Sequence, residues 1–365
     1  MEKRCIFHIP NSLDENRASA SQIRPKKMKE AFEHIGYKVD VVWGDADQRK
    51  NAIKRIKRNI KKGIKYDFMY SESSTMPTIL TEKHHLPIHP FMDFSFFKFV
   101  KKNDIKIGLF YRDIYWKFPI YKQEVKGIKY YGAVFAYRYD LFMYNRLLNK
   151  LYLPTEYGKN YLISEVKDKL FDCLPPACEN YNLEKYNLEK NKKVHLLYIG
   201  GIGEQYKIHK LLEAVREFEN ILLTVCCRKN EWDSVSKEYE FLMKENIKVV
   251  HKKGIELEEL YSKADICLNF FEVDDYRKIA MPYKTFEYLG HGKPIISSKE
   301  TAVGEFIEKN GIGWSINYER KSLCDLLKYI QKNPDELEKK KMICRQKIKE
   351  NTWKERAKKV VLDLM

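Results

Sequence analysis

The chain has 365 residues, too many for one ordinary hydrophobic core and enough for two α/β domains. Its 44% hydrophobic content excludes a disordered chain, and its eight cysteines, none in a C-x-x-C pair, exclude a zinc ribbon or a disulfide framework. The formal net charge of +17, concentrated in the first half, leaves open an anionic partner such as a membrane, a phosphorylated lipid or a nucleic acid, as well as mere solubility.

The first half of the chain alternates short apolar segments with amphipathic ones. Strands covered on both faces of a parallel sheet are nearly continuous apolar runs, so the alternation predicts βαβ units. We assign residues 1–180 to an N-terminal Rossmann-like domain, completed by a C-terminal helix at 352–365. The predicted strands are 5–9, 38–43, 67–70 and 106–111, and the predicted helices are 21–35, 49–62 and 94–101.

Regular structure stops at Leu174-Pro-Pro-Ala-Cys-Glu179, and the polar segment 181–193 is typical of a linker. The alternation restarts at residue 194, which predicts a second Rossmann-like domain over 194–351. Two such domains in series bring the carboxyl ends of both sheets around one cleft, the usual ligand position in doubly wound sheets. The predicted strands are 194–199, 222–227, 248–251, 266–270, 294–297 and 313–316, and the predicted helices are 208–218, 232–245, 257–262, 282–290, 303–309, 321–332 and 335–364.

The most informative segment is Met281-Pro-Tyr-Lys-Thr-Phe-Glu-Tyr-Leu-Gly-His-Gly-Lys-Pro-Ile-Ile296. Pro282 suits the first turn of a helix, and the glycines at 290 and 292 end that helix before a buried strand. The carboxylate of Glu287, in this helix, could accept hydrogen bonds from both hydroxyls of a ribose.

This segment, together with Gly200-Gly201, the short helix over 257–265 and Trp353, resembles the GT-B glycosyltransferases of the large retaining group with an E-x7-E motif, of family-4 type. The resemblance covers essentially the whole chain. It implies an α/β GT-B fold with two Rossmann-like doubly wound domains that face a central cleft, and a nucleotide-sugar site in residues 194–351. The donor-binding residues that it implies are Gly200, Gly201, Gly203, Tyr206, Pro282, Tyr283, Thr285 and Glu287.

The sequence departs from this family at charged positions. The first glutamate of E-x7-E would fall at Ile279, and the two cations that bind the diphosphate would fall near Gly201 and Tyr206. Because negative charge grows on the leaving nucleoside diphosphate, another cation is needed. We favour Arg228 and Lys284 as catalytic residues. Arg277 and Lys278 are alternatives, which a solvated surface role would also explain.

Two N-terminal loops follow predicted strands and carry short polar side chains. In the first, Ser19 and Ser21 either contact the acceptor or cap the next helix. In the second, Glu72 and Ser73 suit sugar recognition. Histidines at 84, 85 and 89 follow, but their spacing fits no standard metal site, and we expect no metal and no other cofactor.

A third loop carries Arg112 and Asp113, where the resembled family often has a His-Asp pair near the transferred sugar. Asp113 could orient an acceptor hydroxyl, and Arg112 could hold an anionic group of the acceptor. A structural Arg–Asp pair explains the same residues. A retaining reaction needs no strong general base, because the leaving phosphate can take the proton.

The segment 49–65 holds nine cations and no acid, with isoleucines at helical spacing. It is either a solvated helix face or a docking surface for an anionic membrane. No nucleic-acid module or interleaved aromatic stripe appears, so we expect no nucleic-acid partner.

The sequence therefore predicts a hexosyltransferase that moves a sugar from a nucleotide-sugar donor, of UDP type, to a glycan or lipid-linked acceptor with retention. A GT-B nucleotide-sugar epimerase or hydrolase, or a catalytically silent nucleotide-sugar-binding module, remain alternatives. No apolar run has the length of a signal peptide or a transmembrane helix, so we expect a cytoplasmic protein. A peripheral position at the inner face of the membrane stays open.

Overall fold

The structure is a computed structural model that describes residues 2–14, 19–179, 181, 193–203 and 206–365. The chain divides into two compact units, of which unit 1 comprises Met1–Pro176 and Trp353–Met365, and unit 2 comprises Ala177–Thr352. The predicted boundary, after residue 180, lies slightly later along the chain than this division after Pro176. Cys178 already forms a parallel bridge with Thr352 of unit 2. The predicted linker 181–193 lies almost wholly outside the described residues.

Unit 1 is built on a parallel sheet of six strands among the described residues, in the order β2-β1-β3-β4-β5-β6. The central strand β1 pairs with β2 and β3 in parallel, and Cys5, Ile6 and Phe7 in it are completely buried. This burial on both faces explains why the interior strands are mostly apolar, whereas the edge strand β2 carries Lys38 and Asp40. The strands are β1 (Arg4–His8), β2 (Lys38–Val42), β3 (Phe68–Glu72), β4 (Lys106–Phe110), β5 (Lys150–Leu153) and β6 (Phe171–Cys173).

The helices of unit 1 cover this sheet, and their ends are set by local signals. The Asp45 side chain and Gln48 form a reciprocal capping box, which starts the second helix earlier than the predicted residue 49. The helices are α1 (Ala20–His34), α2 (Ala46–Lys61), α3 (Met92–Lys102), α4 (Pro119–Glu124) and α5 (Ile128–Leu147), with a last helix from the C-terminal end of the chain.

The helical tail predicted over 335–364 is divided close to residue 352, where the predicted C-terminal helix of unit 1 begins. It is two helices, α12 (Pro334–Ile348) in unit 2 and α13 (Trp353–Leu364) in unit 1, separated by a 3-10 turn and an extended residue at Thr352. The Asn351 side chain donates to the Lys347 carbonyl and so ends the first of them. Trp353, at the start of α13, is buried. The chain thus returns to unit 1 for its last helix.

Unit 2 has a second parallel sheet of six described strands, in the order β12-β11-β10-β7-β8-β9. Its backbones pack closely, since a Cβ on Gly313 would lie 1.9 Å from the Ile295 carbonyl oxygen. The strands are β7 (Val194–Ile199), β8 (Ile221–Cys226), β9 (Ile247–Val250), β10 (Ile266–Asn269), β11 (Ile295–Ser298) and β12 (Gly313–Ile316), and the helices before α12 are α6 (His209–Val215), α7 (Lys229–Tyr239), α8 (Leu257–Lys263), α9 (Tyr283–Gly290), α10 (Ala302–Asn310) and α11 (Arg320–Lys332).

The elements between residues 112 and 173 were not predicted. They include α5, the longest described helix of unit 1, strand β5 and the edge strand β6. Tyrosines, phenylalanines and other apolar residues occur all round α5, so it lacks the single apolar stripe by which an amphipathic helix is found. Among the helices that the structure describes, none is both long and apolar enough to cross a bilayer.

Candidate functional site

The carboxyl edge of the second sheet holds the residues that the sequence assigned to a donor. In unit 2 the strand order reverses between β7 and β10, which lie side by side as parallel neighbours. Ligands of doubly wound sheets bind outside the strand ends at such a switch point. The glycines at 200, 201 and 203 follow β7, and Phe271 follows β10, so both segments lie at this point.

The glycine loop is held by hydrogen bonds to the strands beside it. The Gly200 N–H donates to the Cys226 carbonyl at 3.1 Å, and the Tyr198 hydroxyl donates to the Gly201 carbonyl at 2.6 Å. Gly203 has φ of +136°, where other residues are strained, and it pairs with Tyr206 in an antiparallel bridge. The loop therefore offers a fixed backbone rather than a charged side chain.

Helix α9 is anchored directly to the end of β7. Pro282 is its N-cap residue, and the Tyr288 hydroxyl accepts from the Ile199 N–H at 3.0 Å and donates to the Ile199 carbonyl at 3.1 Å. This bridge fixes α9 beside the residue that precedes the glycine loop. The first N–H groups of a helix carry partial positive charge, which suits an anion.

The side chains of α9 divide between the core and the surface. Thr285 is completely buried and its hydroxyl accepts from the Asn269 amide at 3.0 Å, so only its backbone is left for the predicted donor contact. Tyr283 is half-buried, and burial raises the pKa of its hydroxyl, with Glu287 adding to the shift. Glu287 is itself half-buried, and its carboxylate Oε2 lies 2.6 Å from the Lys284 Nζ atom. Two predicted site residues thus form an ion pair with each other.

Arg228, the other favoured cation, points to solvent. It is the N-cap residue of α7, its side chain is 74% exposed, and it pairs with Glu231 in the first turn of that helix. An exposed pair three residues apart contributes little energy and leaves the guanidinium free to reorient. The predicted role of Arg228 stays a prediction.

Arg277 lies beside the glycine loop. Its guanidinium carbon is 4.5 Å from the centre of the Tyr206 ring and 5.0 Å from that of Phe271, so it spans the residues that follow β7 and β10. The side chain is 8% exposed, and its Nη1 donates to Asp274 Oδ2 at 2.7 Å. The surface interpretation is therefore wrong for Arg277. It holds for Lys278, which is 49% exposed and pairs with Asp275.

The carboxyl edge of the first sheet carries a buried charge cluster centred on Glu72. Glu72 is completely buried, and its Oε2 accepts from the Arg112 guanidinium at 3.0 Å while Oε1 lies 3.2 Å from Arg24 Nε and accepts from the Tyr70 hydroxyl at 3.0 Å. Arg24 also lies 3.5 Å above the Phe110 ring. The carboxylate is fully engaged with these three partners and holds Arg112 in place, while its predicted acceptor contact stays a prediction.

Two arginines share the buried carboxylate of Glu72, and Asp113 adds a second negative charge near Arg112. Burial lowers the pKa of Arg112, and the adjacent Glu72 carboxylate opposes that shift. Arg112 is fixed further by Ser73, whose hydroxyl accepts from its backbone N–H at 3.0 Å and whose carbonyl accepts from Nε at 3.2 Å. The ion pair of Arg112 is thus with Glu72, and the charge of Asp113 also favours its charged form.

The remaining acceptor-side residues make local contacts. The Asp113 carboxylate accepts from the Tyr115 N–H at 2.9 Å, as in a turn. Ser19 is the N-cap residue of α1 without a side-chain capping bond, and its hydroxyl lies 2.9 Å from that of Ser21. Within the described ranges, no three His, Cys, Asp or Glu side chains are placed to hold a metal ion.

Comparisons with known proteins bear on both units. Residues 205–361 match the family described as "Glycosyl transferase-like", whereas no curated protein matched the chain. A glycosyltransferase from Rickettsia africae ESF-5 is similar in structure with a TM-score of 0.66 at 13% identity, over 99% of this chain and 98% of that one. Alr3699/HepE of Anabaena, solved with UDP and glucose, has a TM-score of 0.63 at 10% identity, over 99% of each chain. WaaG, a glycosyltransferase involved in lipopolysaccharide biosynthesis, has a TM-score of 0.61 at 13% identity, over 99% of each chain.

The chain has the GT-B fold. Its two six-stranded parallel sheets, each covered by helices, confirm the predicted α/β class with two Rossmann-like units. The glycosyl transferase-like match lies almost entirely in unit 2, which carries the glycine loop and α9.

Two residues, one at the strand ends of each unit, were missed or undervalued from the sequence. Arg24 lies within a helix, and nothing in its local pattern marks it as a partner of Glu72. Arg277 was an alternative only, because its distance along the chain from the glycine loop hid their contact. A signal was present, since Arg277 is close in sequence to Ile279, the position at which the resembled family carries its first glutamate.

Proposed function

We propose that this GT-B protein is a hexosyltransferase that moves a sugar from a UDP-type donor to a glycan or lipid-linked acceptor, with retention of configuration. The observation that carries the proposal is the position of Arg277, a buried cation beside a glycine loop at the switch point of unit 2. The UDP and glucose bound to Alr3699/HepE support the choice of donor class. The match of residues 205–361 to glycosyl transferase-like proteins supports the reaction.

In the proposed reaction, the diphosphate lies against the backbone N–H groups of the glycine loop and the N-terminus of α9, and Arg277 balances its charge. The bond between the anomeric carbon of the sugar and the diphosphate oxygen breaks, and negative charge grows on that oxygen. The acceptor hydroxyl oxygen bonds to the same carbon, and its proton passes to the leaving phosphate. Glu287 accepts hydrogen bonds from the ribose hydroxyls. The chemistry requires no cofactor, since the nucleotide sugar is a substrate.

The charge cluster of unit 1 supports an acceptor with an anionic group. Arg112 and Arg24 share the single buried carboxylate of Glu72, so this buried part of the cluster holds more positive than negative charge. A phosphate or a carboxylate on the acceptor would balance it, and the phosphate of a lipid-linked sugar is one such group. Free thiols at all eight cysteines support the proposal that the enzyme works in a reducing compartment.

The experiment that tests the proposal separates donor binding from transfer. Thermal unfolding is measured with UDP-, GDP-, dTDP- and CMP-sugars, since a ligand that binds only the folded state raises the unfolding midpoint. We expect UDP-sugars to stabilise the protein most. Release of UDP is then followed with and without a phosphorylated glycan or glycolipid acceptor, and we expect release to depend on the acceptor.

Each other outcome rejects part of the proposal. UDP release at the same rate without an acceptor would identify a hydrolase, and interconversion of the donor sugar would identify an epimerase. Stabilisation by UDP-sugar with no turnover on any acceptor would identify a binding module. No stabilisation by any nucleotide sugar would overturn the assignment of unit 2 as a donor site.

A further inference from the structure

Helix α5 is apolar on two faces, but only one of them is packed. Its buried side chains pack against unit 1, and the ring of Tyr137 stacks at 4.9 Å on Trp116. A helix that is apolar all round is normally enclosed by protein or lipid. The second apolar face of α5 is open to solvent. The residues of the packed face are Ala133, Ala136, Tyr137, Asp140, Leu141, Tyr144 and Leu147.

The open face carries large apolar side chains at helical spacing. Ile128 is 88% exposed, Tyr131 67%, Phe135 72% and Phe142 51%. Single exposed apolar residues are ordinary on a protein surface, whereas a row of four on one helix marks a surface that binds something. We refer to these four residues as the α5 face.

The charges around the α5 face are cationic. Lys129, Arg138 and Arg146 of the same helix are exposed, and the Arg146 guanidinium carbon lies 4.9 Å from the Phe142 ring. The acid in the α5 sequence, Asp140, is buried and accepts from the Thr78 N–H at 2.7 Å. The exposed side of α5 therefore combines aromatic rings with positive charge and carries no negative charge of its own.

We propose that the α5 face docks on an anionic lipid bilayer, with its rings among the acyl chains and its cations at the headgroups. An interfacial helix of this kind binds through its apolar area and through attraction of its basic residues to acidic lipids. Tyrosine and cations are favoured at this depth of a membrane because each has an apolar body and a polar tip. A protein partner would have to supply a matching acidic, apolar groove, whereas a bilayer needs no shape match.

Docking through the α5 face would bring the charge cluster of unit 1 toward the headgroups. Strand β4, helix α5 and strand β5 follow one another, and the two strands are parallel neighbours. The amino end of α5 therefore lies toward the carboxyl edge of the sheet, which also carries Arg112. The proposal does not depend on the proposed glycosyl transfer, since it concerns binding to lipid alone.

The test measures sedimentation of the purified full chain with vesicles of phosphatidylcholine alone and of phosphatidylcholine with phosphatidylglycerol. We expect the wild type to bind the acidic vesicles. The double variant Tyr131→Ser/Phe135→Ser should bind at least about tenfold more weakly, because it lacks two aromatic rings that pass from water into the lipid. Phe241→Ser in unit 2 is the matched control, since Phe241 is 68% exposed as well. All these side chains lie at the surface, so the variants should keep the wild-type unfolding midpoint.

A second variant separates this surface from the basic segment 49–65. The triple variant Lys54→Glu/Arg58→Glu/Lys61→Glu reverses three exposed charges of α2. Charge attraction is screened at 0.5 M salt. We therefore expect the α5 double variant to lose more binding than this triple variant at that salt concentration. Binding of the α5 double variant to acidic vesicles as strongly as the wild type would overturn the proposal. So would a dimer of the wild type that the double variant abolishes in sedimentation velocity, since the occupant would then be a second copy of the chain. Loss of binding by Arg138→Glu/Arg146→Glu would support the proposal independently.

Discussion

The guanidinium carbon of Arg277 lies 4.5 Å from the centre of the Tyr206 ring, near which the resemblance placed one of two diphosphate-binding cations. The loop after β7 thus carries an aromatic ring, and the cation that stacks on it comes from the segment after β10. Arginine stacks on aromatic rings more readily than lysine does, because its guanidinium is planar and weakly hydrated.

We expect Arg277→Ala to weaken UDP binding by about 1.5–3 kcal/mol, the range for a hydrogen bond to a charged group, and to lower turnover further. Uridine has no diphosphate, so its affinity should not change. Lys278→Ala is the control, since Lys278 is its exposed neighbour. Calorimetry with UDP and uridine measures both affinities, and equal losses for the two ligands would show that Arg277 acts through the fold alone.

The ion pair between Lys284 and Glu287 sets up a test of the ribose contact. Glu287→Gln should weaken UDP binding by about 1.5–3 kcal/mol. The loss should be smaller for 2′-deoxy-UDP, which lacks one of the hydroxyls. The exposed Glu308→Gln, in α10, is the control. An equal loss for both nucleotides would mean that Glu287 acts only by holding Lys284, and Lys284→Ala should then have the same effect.

The sequence predicted the strands of both sheets where they are short apolar runs, because burial on both faces leaves that pattern directly in the chain. It also located the glycine loop and α9, whose glycines and proline are required by local geometry. It could not predict which charges meet, because the partners of Glu72 and Tyr206 come from distant elements. The sequence also could not show which charged side chains are buried. Arg49 was counted in the basic segment, yet it is buried, donates to the Gly44 carbonyl at 2.9 Å and does not belong to the exposed face.

The charge cluster of unit 1 should contribute strongly to stability. Glu72→Gln removes the carboxylate that Arg24 and Arg112 share and leaves two buried cations uncompensated. We expect a loss of about 3–5 kcal/mol in the free energy of unfolding, the cost of breaking a buried ion pair. Glu165→Gln is the comparison, since Glu165 forms a more exposed pair with Lys117 and should cost no more than about 1 kcal/mol. Urea unfolding measures both, and similar small losses would show that Glu72 is not needed to offset the arginines.

Asp140, on the packed side of α5, should make stability depend on pH. Burial raises the pKa of Asp140 to about 7 from an ordinary 3.8, although hydrogen bonds from Thr78 oppose the shift. Folding therefore takes up a proton here between pH 3.8 and about 7. The stabilisation is fully present below pH 3.8, falls as pH rises through that range, and is lost above about 7.

We expect Asp140→Asn to gain stability relative to the wild type as pH rises from 5 to 8, because the neutral amide cannot ionise. The difference between the two pKa values sets an upper limit of about 4 kcal/mol on this gain. The amide oxygen can still accept from the Thr78 N–H, so α5 should keep its position. The measurement is the difference in unfolding free energy between variant and wild type at each pH, which cancels every other titrating group. A difference that stays constant from pH 5 to 8 would show that Asp140 keeps an ordinary pKa in the folded chain, and the packed side of α5 would then be wetter than its contacts imply.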